Sequence, residues 1–416
     1  MSDIVTNSCT SNASPLRSLS KTDVVMDYYN KKIMAPMVRI GTLPMRLLAL
    51  ENGCDIAYSE ELIDFKVKNT TRVVNEKLNT VDFISKDKSL TYRTCDADVR
   101  NVLQLGTASS VTALEAANVV VNDVCAIDIN MGCPKFFSVQ GGMGSALLSQ
   151  PEKIKDILST LIRNLPIPVT CKIRLLATDN ETIDLLKIIE NTGVKAIAVH
   201  ARMIPERPRD PAHWDRLENI LSNASFSVPI IVNGDIFEHG DIASSLAKTK
   251  ANSVMIARGA IRNASIFSQP VATNVHKLIQ RYIQIAYEND NHAVNTKYNI
   301  TNILNENLMT QTPEFKSIQS AKDYPAFCNI FNISSQYEKF VQSQKVEAKN
   351  YISVSVQNED LVAKDNENSC SNKNSNNNNN DENSSNNNNN KHELPGNSIL
   401  NEDSDNNPQA LKKQKV

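Results

Sequence analysis

Eight short runs of apolar and β-branched residues recur along the middle of the chain, and each run ends in polar residues or in glycine. The segments that separate them are long enough for a helix. Regular alternation of strand and helix predicts a parallel sheet, and eight repeats match an α/β fold of the (β/α)8 TIM-barrel type. A doubly wound dinucleotide-binding sheet is disfavoured, because no Gly-x-Gly-x-x-Gly follows the first run. The predicted strands are Lys32–Pro36, Asp55–Ser59, Asn101–Gly106, Ala126–Asn130, Val169–Arg174, Ala196–His200, Pro229–Asn233 and Ser253–Ala257.

Several of the intervening segments carry specific signals. Pro151 stands at a first-turn position before an apolar stripe, and Asn180 can cap the next predicted helix, which Gly193 would end. A polar insertion near 69–98 holds two short apolar runs around a charged turn, a pattern typical of a β-hairpin on a barrel loop.

The pattern changes on both sides of the barrel segment. Leu278, Tyr282 and Ile285 are spaced as one face of a helix, and a second such stripe follows them. The two ends of the chain are polar, and the C-terminal end is rich in Asn, so neither can bury enough apolar surface to fold. The predicted organisation is a disordered N-terminus at 1–22, a barrel at 23–271 with the hairpin insertion, an α-helical domain at 272–348 and a disordered tail at 349–416.

Composition and charge narrow the class of protein. The eight cysteines are scattered without a Cys-x-x-Cys pair, which favours a reduced intracellular compartment over a disulfide scaffold. No run of about 18 apolar residues indicates a membrane span, and we expect a location in the cytoplasm, the nucleus or both. The whole chain has a net charge of −2. Residues 351–416 hold six lysines and ten acidic residues, so their net charge is −4, and the net charge of residues 1–350 is therefore +2. This balance is weak support for a polyanionic partner.

Polar residues follow most of the predicted strands, at the end of the barrel where active sites lie. Gly234 and Gly259, after the seventh and eighth strands, would let backbone N–H groups approach a ligand, and Arg258 adds positive charge. These residues predict a phosphate pocket. Lys172 lies in an apolar strand and is expected to point into the barrel. His200 is either a satisfied core histidine or a ligand contact.

One cysteine follows the fourth predicted strand, in the segment Asn130–Pro134. Cys133 lies on a loop flanked by glycine and proline, where a substrate would meet it. A lone intracellular cysteine is more often an inert buried thiol. Lys135 and the glycine-rich stretch 141–144 instead predict an exposed, mobile loop with an accessible thiol.

The motifs around this cysteine resemble those of the tRNA-dihydrouridine synthases. Asn-Met-Gly-Cys-Pro at 130–134 is followed by Gly-Gly-Met-Gly-Ser-Ala-Leu-Leu at 141–148, and the resemblance extends over about residues 30–345. Four further motifs are most like the eukaryotic branch that acts at position 20 of the tRNA D-loop: Leu43–Arg46, Glu60–Asp64, Asp290–His292 and Asn295–Tyr298. Other motifs in family order are Ala35–Met37, Gln104–Gly106, Cys171–Arg174, His200–Arg202, Asn233–Ile236 and Ala257–Ala260.

The resemblance implies an FMN-dependent, NADPH-driven reduction of the C5=C6 bond of a tRNA uridine, without excluding NADH as the donor. Cys133 would donate the proton to C5, Asn130 and Arg202 would bind the uracil edge, and Lys297 in the helical domain would contact tRNA. A monomer without a metal or a membrane partner is expected. The residues that would bind FMN are Pro36, Met37, Gln104, Lys172, His200, Asn233, Gly234, Asp235, Ala257 and Arg258.

Two departures and two alternatives accompany this hypothesis. Ala201 and Met203 stand where many relatives have Gly and Thr, and Ala257 replaces a common glycine. One alternative is another FMN barrel oxidoreductase that acts on free dihydropyrimidines or dienes, which would not need the helical domain. The other is a tRNA-binding protein without flavin, which would not need a complete set of FMN positions.

Overall fold

The computed structural model describes residues 21–346, in which strands and helices alternate as the sequence predicts. The strands are Lys32–Met34 (β1), Ile56–Ile63 (β2), Thr70–Asn75 (β3), Thr80–Ser85 (β4), Leu90–Cys95 (β5), Asn101–Gly106 (β6), Ala126–Asn130 (β7), Val169–Leu175 (β8), Ile197–Met203 (β9), Ile230–Asn233 (β10) and Ser253–Ile256 (β11). The helices are Leu43–Glu51 (α1), Asp64–Lys68 (α2), Ser110–Val120 (α3), Phe136–Gln140 (α4), Pro151–Asn164 (α5), Asp179–Glu190 (α6), Trp214–Asn223 (α7), His239–Thr249 (α8), Arg258–Arg262 (α9), Val275–Glu288 (α10), Ala293–Glu306 (α11), Pro313–Ser320 (α12) and Tyr324–Ile330 (α13), and residues 334–346 are also helical.

Eight of these strands close a parallel barrel in the order β1-β11-β10-β9-β8-β7-β6-β2. Strands β6, β7, β10 and β11 are buried at every position, as expected for parallel strands with helices outside and packed side chains inside. The predicted (β/α)8 TIM barrel is therefore confirmed. Because the C-terminal ends of its strands face one side, the residues that follow them form a common mouth.

The insertion between β2 and β6 contains the predicted hairpin, formed by β4 and β5, and one further strand that the sequence does not predict. It is a three-stranded antiparallel sheet in the order β3-β4-β5. The sequence does not reveal β3, because its apolar residues Val73 and Val74 are 43% and 59% exposed and give no pattern of a buried strand. A buried ion pair between Arg46 on α1 and Asp98, 2.6 Å long, anchors the end of the insertion to the barrel.

A helical layer packs on the barrel, as the predicted C-terminal helical region requires. Helix α10 contacts α1, and α11 contacts α9. Arg281 on α10 pairs with Glu51 at 2.6 Å. Asn295 and Asn299 on α11 both donate to the carbonyl oxygen of Arg39, at 2.7 and 3.0 Å. The layer is thus fixed to the loop that follows the first barrel strand.

The predicted start of α6 needs a correction. The helix begins at Asp179, and Thr178 rather than Asn180 is its cap. The Thr178 hydroxyl accepts the backbone N–H of Glu181, whose carboxylate in turn accepts the backbone N–H of Thr178, so two free amide groups are satisfied at once. Pro151, in contrast, begins α5 as predicted.

The predicted N-terminal boundary also shifts. Lys21 and Thr22, placed by the sequence in the disordered end, form a 3-10 turn with Asp23. The ammonium of Lys21 donates to the Thr94 hydroxyl and to the carbonyl oxygens of Cys95 and Asp98, which explains the order. The other residues of the predicted disordered ends lie outside 21–346. Within 21–346, no helix combines the length and apolarity needed to cross a bilayer.

Candidate active site

Hydrogen bonds fix the loop that carries Cys133 at the mouth of the barrel. The Oδ1 of Asn130, the last residue of β7, accepts the backbone N–H groups of Gly132 and Cys133, each at 3.0 Å. Arg174 on β8 donates to the Gly132 carbonyl at 2.7 Å, and the Ser145 N–H donates to the Cys133 carbonyl at 2.9 Å. The thiol is only half-buried, but its loop is held on both sides, unlike the mobile setting that the sequence predicts.

Charged groups of both signs face the Cys133 sulfur. Burial is the largest cause that raises the pKa of this thiol, and the negative charge of Glu61 is the next. Lys172 and Arg174, both on β8, also interact electrostatically with the thiol. A raised pKa keeps the proton on sulfur at neutral pH. The geometry therefore suits a thiol that donates a proton to a bound substrate.

A buried polar group lines the barrel interior next to this loop. Gln104 Nε2 and Thr170 Oγ1 donate to the two carboxylate oxygens of Asp128, at 2.8 and 2.6 Å, and burial raises the pKa of Asp128 to about 6. Burial, and then the charge of Arg174, lower the pKa of Lys172 to about 8. A buried ammonium is costly unless an anion lies close to it. Lys172 is therefore placed to favour an anionic group in the barrel mouth.

Positive charge accumulates at the neighbouring strand ends. Burial is the largest cause that holds the pKa of His200 far below its usual range, and Lys172, Arg174, Arg202 and Arg258 add to it. His200 is therefore neutral, and its Nε2 lies 3.2 Å from Nη1 of Arg202. Four cations around one neutral ring favour the binding of an anion.

An open cleft of about 480 Å³, counting the solvent in its mouth, lies beside these cations. Asp235 organises it: Oδ1 accepts from Arg202 at 2.5 Å and from Arg258 at 3.0 Å, and Oδ2 accepts the Ala212 N–H at 2.7 Å. The Arg258 side chain is 32% exposed, and its guanidinium carbon lies 4.7 Å from the centre of the Phe237 ring. The lining comprises Arg174, His200, Arg202, Arg207, Pro208, Asn233, Gly234, Asp235, Ile236, Phe237, Met255, Ala257 and Arg258.

Two glycines follow the strand ends beside the cleft, and Gly234 is the one that lines it. Gly234 has a φ of +123°, and a Cβ there would lie 3.0 Å from the Ala212 side chain. A Cβ on Gly259 would lie 2.3 Å from the carbonyl oxygen of Ile236, so a larger residue would push two strand ends apart. The bare backbone at Gly234 lies in the same cleft lining as Arg258, and such an arrangement favours a phosphate group.

Comparison with known proteins identifies the family to which the chain belongs. The family model described as "Dihydrouridine synthase (Dus)" matches residues 33–365. The chain belongs to the dihydrouridine synthase family. It is thus an oxidoreductase by family, and the motifs around Cys133 and the barrel both agree with this placement.

The most similar relatives include two from yeasts. "tRNA-dihydrouridine(20) synthase [NAD(P)+]" of Schizosaccharomyces pombe is 37% identical over 323 residues, which cover 75% of this chain and 67% of the relative. The protein of the same name from Saccharomyces cerevisiae is 36% identical over 301 residues, which cover 67% of this chain and 78% of the relative. The human "tRNA-dihydrouridine(20a/20b) synthase [NAD(P)+]-like" is 30% identical, over 62% of this chain and 76% of its own. The predicted resemblance to the eukaryotic branch is confirmed.

The structure of this family member brings most of the predicted site residues together. Gln104 and Lys172 lie in the barrel interior, next to the Cys133 loop. Pro36 and Met37 lie at the turn after β1, outside the cleft lining, and Met37 accepts the Gly41 N–H there at 2.8 Å. Their roles stay predictions. The predicted residues that line the cleft are His200, Arg202, Asn233, Gly234, Asp235, Ala257 and Arg258.

Lys297 lies apart from the cleft, on α11. Its ammonium donates to the carbonyl oxygens of Gln319 and Ala321, at 2.5 and 3.1 Å. These bonds hold α11 against the end of α12. The tRNA contact predicted for Lys297 would have to compete with them.

Two site residues receive no role from the sequence. Arg174 follows Lys172 by two positions on β8, and residues two positions apart on a strand have their side chains on one face. Once Lys172 is expected to point into the barrel, this spacing predicts the same direction for Arg174. Glu61 gives no such signal, because the predicted second strand stops at Ser59. The register between β2 and β6 shifts between Tyr58 and Glu61, and the strand then continues to Ile63.

Proposed function

We propose that this chain reduces the C5=C6 bond of a uridine in the tRNA D-loop, at position 20, with FMN as bound cofactor and NADPH as electron source. The observation that carries the proposal is the position of Cys133. A protonated thiol is held at the mouth of the barrel, beside a cationic cleft, in the motif of the dihydrouridine synthase family.

The cleft and the barrel interior together fit FMN. The phosphate would lie beside Gly234 and Gly259, which present backbone without a side chain, with the partly exposed Arg258 next to them. Lys172 would stand beside the flavin ring, where a cation favours the reduced, anionic form. When FMN is bound and reduced, it supplies a hydride to C6 of the uracil.

Cys133 would then complete the reduction. The C5=C6 bond of uracil is conjugated to the C4 carbonyl, so negative charge develops at C5 and O4 when hydride adds at C6. The S–H bond of Cys133 breaks, a C5–H bond forms, and the new thiolate faces Lys172 and Arg174. The thiolate then takes a proton from water, which restores the thiol before the next turnover.

Exposed aromatic residues favour RNA over a free pyrimidine as the substrate. Phe136 and Phe137 on α4, three and four residues after Cys133, are 78% and 50% exposed, and the exposed Lys135 precedes them. Aromatic side chains beside a cation are the means by which proteins stack unpaired bases and hold the RNA backbone. A D-loop uridine can leave the RNA at low cost because it is unpaired. The names of the yeast relatives support position 20 and a nicotinamide electron donor, and they fit NADPH and NADH equally.

An assay with purified full-length protein tests this function. The protein should be isolated with flavin absorbance, and FMN should be identified by mass after denaturation. With NADPH it should convert uridine to dihydrouridine in unmodified tRNA and leave free uracil unreduced. Reduction of free uracil but not of tRNA would favour a small-molecule oxidoreductase, and a colourless protein that binds tRNA and cannot be reconstituted would exclude the flavoenzyme.

Replacing Arg258 with alanine should weaken FMN binding about tenfold to a hundredfold, the loss expected for one charge-assisted hydrogen bond to phosphate. Fluorescence titration of FMN into the flavin-free protein measures this. Arg262→Ala is the matched control, because Arg262 lies on the same short helix and pairs with Glu238 outside the cleft lining. Equal FMN affinity in the Arg258 variant and wild type would remove this residue from the phosphate site.

A further inference from the structure

Glu61 lies at the Cys133 thiol, although the sequence assigns it no role. It follows the register shift in β2, opposite Gln104 of β6. The Glu61 carboxyl group interacts with the side chains of Cys133 and Asn130. Its Oε1 is buried, and among residues 21–346 it has no hydrogen-bond partner of ordinary geometry. A buried carboxylate oxygen without a regular donor is unusual and indicates a functional constraint.

The neighbouring backbone leaves space for this carboxyl group. Gly106, the last residue of β6, has no side chain, and a Cβ there would lie 2.6 Å from Oε1 of Glu61. The φ of Gly106 is not positive, so its backbone conformation alone does not require glycine. The space it leaves is filled by the Glu61 carboxyl group.

Asn130 joins Glu61 to the cysteine loop. Its Oδ1 accepts the backbone N–H groups of Gly132 and Cys133, which directs its NH2 group away from that loop. The amide also interacts with Glu61. The carboxyl group, the amide and the thiol therefore form one connected cluster. The other groups that face the sulfur are the Ser138 hydroxyl, the Lys135 backbone N–H, and Lys172 and Arg174 of β8.

We propose that Glu61 is a positioning residue for Cys133: its carboxylate accepts the S–H hydrogen bond, holds the proton on sulfur and fixes the direction in which the thiol points. The inference rests on the proposed function for its role in turnover. An anion beside the sulfur also disfavours the thiolate. After the proton has moved to C5, the same anion therefore drives uptake of a new proton from water.

The effect on the thiol can be measured without turnover. The purified full chain, as isolated and without tRNA or NADPH, is alkylated with iodoacetamide between pH 7 and pH 11, and the peptide that contains Cys133 is quantified by mass spectrometry. Glu61→Gln keeps the shape of the side chain but removes its charge. We expect the midpoint of Cys133 alkylation to fall by about one pH unit or more, which is roughly a tenfold faster reaction at pH 8.

Two control variants separate charge from structure. Glu61→Asp keeps the anion and should stay closer to wild type than Glu61→Gln does. Glu60→Gln changes the adjacent carboxylate, which accepts the Arg39 backbone N–H at 2.7 Å, and should leave the midpoint unchanged. Gly106→Ala, which displaces the carboxyl group, should lower the midpoint as Glu61→Gln does. A wild-type midpoint in Glu61→Gln would overturn the inference.

The pH dependence of tRNA reduction gives the second readout. If Glu61 keeps Cys133 protonated, the alkaline limb of the wild-type profile should move to lower pH in Glu61→Gln by the same amount as the alkylation midpoint. A shifted midpoint in a protein that reduces no tRNA would preserve the Glu61 contact and reject the proposed function. Normal tRNA reduction with an unshifted midpoint and profile would preserve the function and reject the role of Glu61.

Discussion

Replacing Cys133 with alanine should lower the rate of tRNA reduction by about 10²- to 10⁴-fold, the usual contribution of a general acid. The loss should lie in turnover, because the Cys133 thiol makes none of the contacts that organise the cationic cleft. FMN retention and tRNA affinity should stay within about twofold of wild type, a difference of under about half a kcal/mol. Single-turnover assays on unmodified tRNA, with spectroscopic quantification of bound FMN, check both parts.

A second cysteine supplies the control for this variant. Cys95 on β5 is also half-buried, but it lies in the insertion sheet and not in the barrel mouth. Cys95→Ala should keep wild-type turnover. Full activity of Cys133→Ala would reject the proton-donor role, and loss of FMN in that variant would show that Cys133 is structural.

Replacing Lys172 with methionine should stabilise the flavin-free protein at pH 7, by on the order of 2 kcal/mol, while it reduces FMN binding and turnover. The pKa of Lys172 is lowered from 10.5 to about 8 on folding. Below pH 8 the folded and unfolded chains both carry the charge, and folding bears the full cost of burying it. The expected gain in the free energy of unfolding is smaller than the full pKa shift of Lys172 would give, because the side chain keeps some contact with solvent.

The pH dependence of this difference provides the check. Between pH 8 and 10.5 the folded state loses the Lys172 proton while the unfolded state keeps it, so the destabilising effect of Lys172 declines. The stability gap between Lys172→Met and wild type, measured by urea unfolding, should therefore shrink by about half or more from pH 7 to pH 10. Lys195→Met, at an exposed lysine, should show no such change. A gap that is constant with pH would contradict the buried-cation account.

The barrel strands can be predicted from the sequence because most are buried on both faces. Strands β6 and β7 have the predicted bounds, Asn101–Gly106 and Ala126–Asn130, since their apolar runs stop where the barrel mouth begins. The insertion is less predictable because most of β3 is exposed and none of its residues is buried. Apolar periodicity thus reports burial rather than strand formation itself.

In the candidate site, too, some residues can be predicted from the sequence and others cannot. Cys133 and Arg258 are found by position, because each lies just after the end of a barrel strand, and His200 lies within β9, which continues beyond its predicted end to Met203. The role of Asp235 in holding Arg202 and Arg258 is not visible in the sequence, since its partners come from two other strand ends. Glu61 is hidden for a different reason: the irregular register in β2 carries the strand past the point where its apolar pattern ends.

Position-resolved mapping of dihydrouridine tests the proposed reaction most directly. Unmodified tRNA is incubated with the purified protein, FMN and NADPH, and the products are sequenced by a method that reports each reduced uridine. The same map is made for tRNA from cells with and without this gene. Dihydrouridine at position 20, formed in vitro and lost in the cells without the gene, is the expected result. Reduction at another D-loop position would contradict the assignment to position 20, and no dihydrouridine in either experiment would contradict the proposed function itself.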